Sequence, residues 1–126
     1  MTVIELPFPP STNNLFVNGL KGRFPSQRYA DWITEAGWIL TSQRPAKVKG
    51  MVVLSFLFNP PDKRKRDITN LLKAPEDLLV KHGIIEADDS TIVRAIHAGW
   101  SDLVSGVQIE ITNVGHRVPE IRSAEG

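Results

Sequence analysis

Residues 48–58 read Val-Lys-Gly-Met-Val-Val-Leu-Ser-Phe-Leu-Phe, and no other segment constrains the fold as strongly. β-Branched and aromatic side chains suit a pleated, half-buried surface. The run is too long for a scrap of sheet edge, so it predicts a strand within a sheet. Asn59-Pro60-Pro61 stops it, because proline removes a ladder donor. Such a strand needs neighbours. Thr2–Leu6 predicts a short one, ended by Pro7, Pro9 and Pro10. Residues 91–98 and 104–112 predict two more, the second alternating at Val107, Ile109 and Ile111. Leu15–Val17 and Arg23–Phe24 predict a hairpin across Asn18-Gly19 and Gly22.

Two helices are expected. Ser26 is a candidate N-cap, followed by Tyr29, Trp32, Ile33, Ala36, Ile39 and Leu40 at three- and four-residue steps, with Pro45 as the boundary. Residues 67–82 predict the second, ending at Gly83, with Leu71, Leu72, Leu78 and Leu79 as its buried stripe. Pro75 disturbs it. A helix begun at Asp67 loses the bond to the Leu71 carbonyl, so a kink or a later start is expected. The order β, hairpin, α, β, α, β, β predicts an α+β domain with two main helices on a small mixed or antiparallel sheet. Its exposed edges predict a dimer.

The 126 residues fit one domain, read as 1–114 with a polar C-terminal tail at 115–126. Hydrophobic residues at 41% and charged residues at 23% exclude global disorder. Cysteine is absent, which excludes a disulfide framework, a thiolate metal site and a cysteine nucleophile. That composition fits a reducing cytoplasm, the expected location. No apolar run approaches the ~20 residues that span a bilayer, and the N-terminus lacks the basic start of a signal peptide. No membrane partner is expected.

The net charge of +1 conceals a sharp local division. From Asp62 to Lys73 there are five basic residues and two acidic ones; from Glu76 to Asp89 there are five acids and one base. Two solvated faces would explain this. So would a polyanion cradle beside carboxylates, provided a divalent cation sits between phosphate and acid. Asn70, Lys73, Asp77 and Lys81 recur on one predicted helix face, with Asp67 before them. An ordinary exposed face has the same pattern, and Asp88-Asp89 alone is an ordinary polar turn.

The ordered set is more specific. Lys63-Arg64-Lys65-Arg66-Asp67-Ile-Thr69-Asn70-Leu-Leu-Lys73, then Asp77-Leu-Leu, then Glu86-Ala-Asp88-Asp89, resembles the core motif of the RusA family of Holliday-junction resolvases. Leu6-Pro-Phe-Pro-Pro10-Ser-Thr-Asn13-Asn14 resembles the family's opening element, and the likeness extends from about residue 4 to 111. It implies a homodimeric, Mg²⁺-dependent endodeoxyribonuclease that cuts four-way junction DNA by paired, symmetric incisions, with Mn²⁺ as a possible substitute. Such enzymes occur in bacteria, phages and prophages. By position, Asp67 and Asp89 match metal-binding carboxylates and Lys73 the essential lysine, with Asp88 a further candidate ligand.

The chemistry suits these residues. Phosphodiester hydrolysis needs activated water, in-line geometry and charge neutralisation. Lys63, Arg64, Lys65 and Arg66 are expected to bind DNA phosphates, which position DNA without reading its sequence. Thr69, Asn70 and Asp77 are expected to support the site from behind. One residue departs from the pattern: Thr69 stands where the family usually has a second acid. Three readings stay open. Asp77, Asp88 or another acid completes the site; or one metal suffices, with Thr69 positioning water; or the protein binds branched DNA and cuts it weakly or not at all. His82, His97 and His116 lack metal spacing, and Trp32 and Trp38 are expected in the core or a dimer interface.

Overall fold

The computed structural model describes residues 1–115. The long apolar run forms β4 (Met51–Phe58), the strand around which the sheet is organised. It pairs on one side with β6 (Val107–Gly115), antiparallel, and on the other with β5 (Val93–Trp100), parallel. β1 (Thr2–Leu6) adds antiparallel to the far side of β6. The sheet is therefore mixed, in the order β1-β6-β4-β5. A parallel β4–β5 pair requires a crossover, and the segment carrying the charged motif supplies it. β2 (Phe16–Gly19) and β3 (Gly22–Pro25) form the expected hairpin, its turn at Leu20-Lys21 rather than at Asn18-Gly19.

Alternation decides which face is buried. Val52, Leu54, Phe56 and Phe58 of β4 point to one side with Val107, Ile109 and Ile111 of β6 and Ile4 and Leu6 of β1. α1 (Gln27–Gln43) covers this face with Tyr29, Trp32, Ala36 and Leu40. The Ser26 hydroxyl caps it by accepting from the Tyr29 amide at 3.1 Å. Trp32 buries its ring and donates its indole N–H to the Pro7 carbonyl at 3.0 Å. Trp38, expected in the core or a dimer interface, is not in the core: it is 75% exposed.

Pro75 moves the second helix. The chain after Asp67 makes a 3-10 turn at Ile68–Leu71, and α2 occupies Lys73–Lys81. Pro75 thus lies in the first turn, where an amide would have no intrahelical partner, and the helix needs no kink. Asn70 consequently leaves the helix face it was expected to share with Lys73, Asp77 and Lys81. Gly83 ends α2 as expected, at φ 69°. The Ile84 and Gly83 amides return to the carbonyls of Leu79 and Val80, satisfying the helix end.

β5 and β6 each begin two or three residues later than expected and extend to Trp100 and Gly115. Trp100 therefore belongs to an edge strand, its ring 6.1 Å from that of Phe58. Of the expected tail, Gly115 closes β6; residues 116–126, including His116, lie outside the described residues. Among the described residues no helix is long and apolar enough to cross a membrane.

Candidate functional site

Two sequence-distant segments meet beyond the end of β4. Phe8, in the proline-rich loop after β1, sets its ring edge-on to Phe58 at 6.2 Å. The Thr12 hydroxyl then donates to the Asn70 carbonyl at 2.9 Å, locking the N-terminal Ser-Thr-Asn-Asn turn onto the 3-10 turn after Asp67. Between them lies a cleft of about 320 Å³. Ser11, Asn13 and Asn14 line one wall, Arg64, Lys65, Arg66, Asp67 and Asn70 the other, and Arg28 of α1 reaches in from the side.

The basic loop is more tightly organised than a run of like charges suggests. Arg66 forks onto the Asp62 carboxylate with hydrogen bonds of 2.8 and 3.1 Å, and its guanidinium lies 5.3 Å from the Phe8 ring centroid. Its side chain is only 14% exposed. Arg64 shares the same carboxylate through its backbone amide and its guanidinium but stays exposed. Hydrogen bonds from Arg66 and then Arg64 hold the Asp62 carboxyl well below the usual carboxylate range. Arg66 thus braces the loop against Phe8, while Lys63 and Lys65 have no ion-pair partner among the described residues. Three cations remain outward-facing.

At the start of α2 the balance reverses. Lys73 pairs with Asp77 one turn on, at 3.2 Å. Beside them Glu76 is half-buried, and burial raises its carboxyl above the ordinary glutamate range. The charges of Asp88 and Asp77 push it the same way, and Lys73 opposes them. The Asp88 charge therefore reaches Glu76 in the first turn of α2, where Asp77 is the acid paired with Lys73. Tyr29 closes this corner from α1; burial and the nearby Asp77 charge raise its phenol. Asp89 accepts from the Thr91 amide at 2.8 Å and from its hydroxyl. Its carbonyl receives the Ile92 and Val93 amides, which fixes the entry to β5.

The residues singled out in the sequence thus form two neighbouring groups. Asp67, Asn70 and the basic loop share the cleft; Lys73, Asp77 and Asp88 share the start of α2. Asn70 fixes the backbone through its carbonyl, and Thr69 is exposed. The Asp67 side chain makes no capping bond to its own turn, although its carbonyl accepts from the Asn70 amide at 3.1 Å. Asp67 follows β4 beyond Phe58, whereas Asp89 precedes β5 where that strand starts beside Val52. Among the described residues no three acidic or imidazole side chains converge as a ready-made metal cage. Glu76, Arg28 and Asp62 joined the site without having been picked out. Glu76 was foreseeable once Pro75 is put in the first helical turn. Arg28 arrives through tertiary packing and carries no local signal.

Sequence comparison identifies the family. The family model for endodeoxyribonuclease RusA matches residues 7–112. The chain belongs to the RusA family. The matched span takes in both walls of the cleft, α2 and the acidic turn. The crossover junction endodeoxyribonuclease RusA of Aquifex aeolicus (strain VF5) is 31% identical over 86 residues, 68% of each chain. As a RusA-family protein the chain falls among the endodeoxyribonucleases, hydrolases of DNA phosphodiester bonds.

Proposed function

We propose that this RusA-family chain resolves Holliday junctions, cutting four-way DNA by paired, symmetric phosphodiester hydrolysis as a cytoplasmic homodimer in recombination and repair, in a bacterium, phage or prophage. The observation that carries this reading is the cleft in which Asp67 and the outward-facing cations meet the Asn13-Asn14 turn.

The donor set fits Mg²⁺, with Mn²⁺ as a substitute. It consists of carboxylate oxygens without sulfur, the ligands a hard divalent cation takes. Asp67 and Asp89, with Asp88, would hold it, and when bound it polarises the phosphoryl oxygen and lowers the pKa of its water. The chain's own groups do the rest. Lys63, Arg64 and Lys65 hold the backbone phosphates, and Arg66 keeps their loop in place. Lys73, positioned by Asp77, offsets charge developing on the scissile phosphate. The Thr12–Asn70 bond keeps both walls of the cleft in register.

Thr69 supports a second reading: a branched-DNA-binding protein with weak or no cleavage, since a neutral hydroxyl is a poor ligand for a hard cation. Calorimetric Mn²⁺ titration of the wild type, Asp67→Asn and Asp89→Asn separates the two. Resolvase predicts saturable binding that each substitution weakens, with junction affinity retained. Junction binding without Mn²⁺ binding favours the second reading.

A further inference from the structure

The β2–β3 hairpin stands outside everything described so far. Of its eight strand residues only Phe16 is partly buried, its ring 5.7 Å from that of Tyr29. Arg23 lies over Phe16 at 4.6 Å, on the face turned toward α1. The register puts Val17 opposite Phe24, so these two project from the other face, together with Gly19 and Gly22. Both are exposed, Phe24 by 51%. A β-carbon built on Gly19 would come within 2.5 Å of the Phe24 ring, so the edge of the ring sits against that glycine. The result is a half-exposed aromatic plate beside the hairpin turn.

Three observations say what the plate meets. Its surroundings are basic: Lys21 and Arg23 lie in the hairpin, and no acid occurs between Leu15 and Ser26. The hairpin is rooted on the cleft rim, because Asn14 lines the cleft while the Ser26 hydroxyl donates to its carbonyl and the Ser26 amide to that of Leu15. Leu20 at the tip is fully exposed, an apolar point beside Lys21. Aromatic plates flanked by cations bind unstacked bases, whose flat faces they cover while the cations neutralise adjacent phosphates. A base inside a continuous duplex offers no such face; one at a branch point does.

We infer that Phe24, its ring edge against Gly19, is a stacking platform for an unpaired or unstacked base at the branch point of the DNA held in the cleft. This rests on the junction-resolving reading and deepens it. Phosphate contacts supply affinity for any DNA, and the hairpin supplies preference for branched DNA.

The test uses the full chain without divalent metal, so DNA stays intact. The probes are a synthetic four-way junction with 2-aminopurine at the branch point and a linear duplex of equal length. The wild type binds the junction more tightly and raises the 2-aminopurine fluorescence. Phe24→Ala weakens junction binding about ten-fold, abolishes the fluorescence rise and leaves duplex binding unchanged; Phe24→Trp restores both. The inference is overturned if Phe24→Ala matches the wild type on the junction, or loses junction and duplex affinity equally. It is also overturned if Phe24→Ala lowers the sedimenting mass, which would make the plate a contact between copies of the chain. If the wild type itself binds junction and duplex alike, the junction-resolving reading fails first.

Discussion

The basic loop and the start of α2 lie next to each other in the chain and handle charge in opposite ways. In the loop one acid, Asp62, serves two arginines and leaves cations in surplus. At α2 one lysine pairs with Asp77, and Glu76 feels the charges of both Asp77 and Asp88, leaving carboxylates in surplus. Surplus cations are satisfied by phosphate. Surplus carboxylates next to that phosphate are satisfied only by a further cation. The contrast leaves the segment nearly neutral overall yet divided into a basic and an acidic half.

Breaking the acidic side costs most. Lys73→Ala, which removes its one cation, is expected to lower the cleavage rate on the order of 10²-fold or more. Junction affinity measured without metal should change far less; a parallel loss of both would make Lys73 a binding group. On the basic side, the pair Lys63→Ala and Lys65→Ala should weaken binding to every DNA alike. It should also flatten the slope of log K against log salt by roughly two. An unchanged slope would remove these lysines from the phosphate contacts.

Two smaller effects concern how each side is held. Asp62 has a depressed pKa, so its contribution to stability is present above the ordinary carboxylate value near 4 and is lost as pH falls through its lower folded value. Asp62→Asn should therefore lower Tm at neutral pH, with the difference from wild type closing only in strong acid. Glu76 is shifted the other way. Its ionised form is disfavoured in the folded state, so stability falls as pH rises through its raised value. Glu76→Gln should raise Tm slightly above that value and not below it. Solvent screens a half-buried group, which keeps the gain on the ~0.5 kcal/mol scale of surface substitutions. Thermal melts between pH 3 and 8 check both signs.

The sheet was legible because its signals are local. The β4 run, the Pro stops and the Val107-Ile109-Ile111 alternation each act within a few residues, and so does the Ser26 cap. The boundaries that shifted depended on distant contacts. β5 starts where pairing with Val52 starts, and β6 extends to Gly115 because Met51 lies beside it. Pro75 announced a disturbance in α2, and its position in the first turn followed from the 3-10 turn before it. The candidate site was legible as a list and illegible as a geometry. Asp67, Lys73 and Asp88 stand in the sequence, but Arg66's retreat onto Phe8 and Arg28's approach from α1 exist only through packing.

The most direct test maps the cuts on a synthetic mobile four-way junction with each strand end-labelled in turn, with the wild-type protein in Mg²⁺. Paired nicks at symmetric positions in two strands of like polarity, absent from a linear duplex and lost in Asp67→Asn, are the expected result. Bound junction with no symmetric nicks in Mg²⁺ or Mn²⁺ would contradict the assignment of this site to junction resolution.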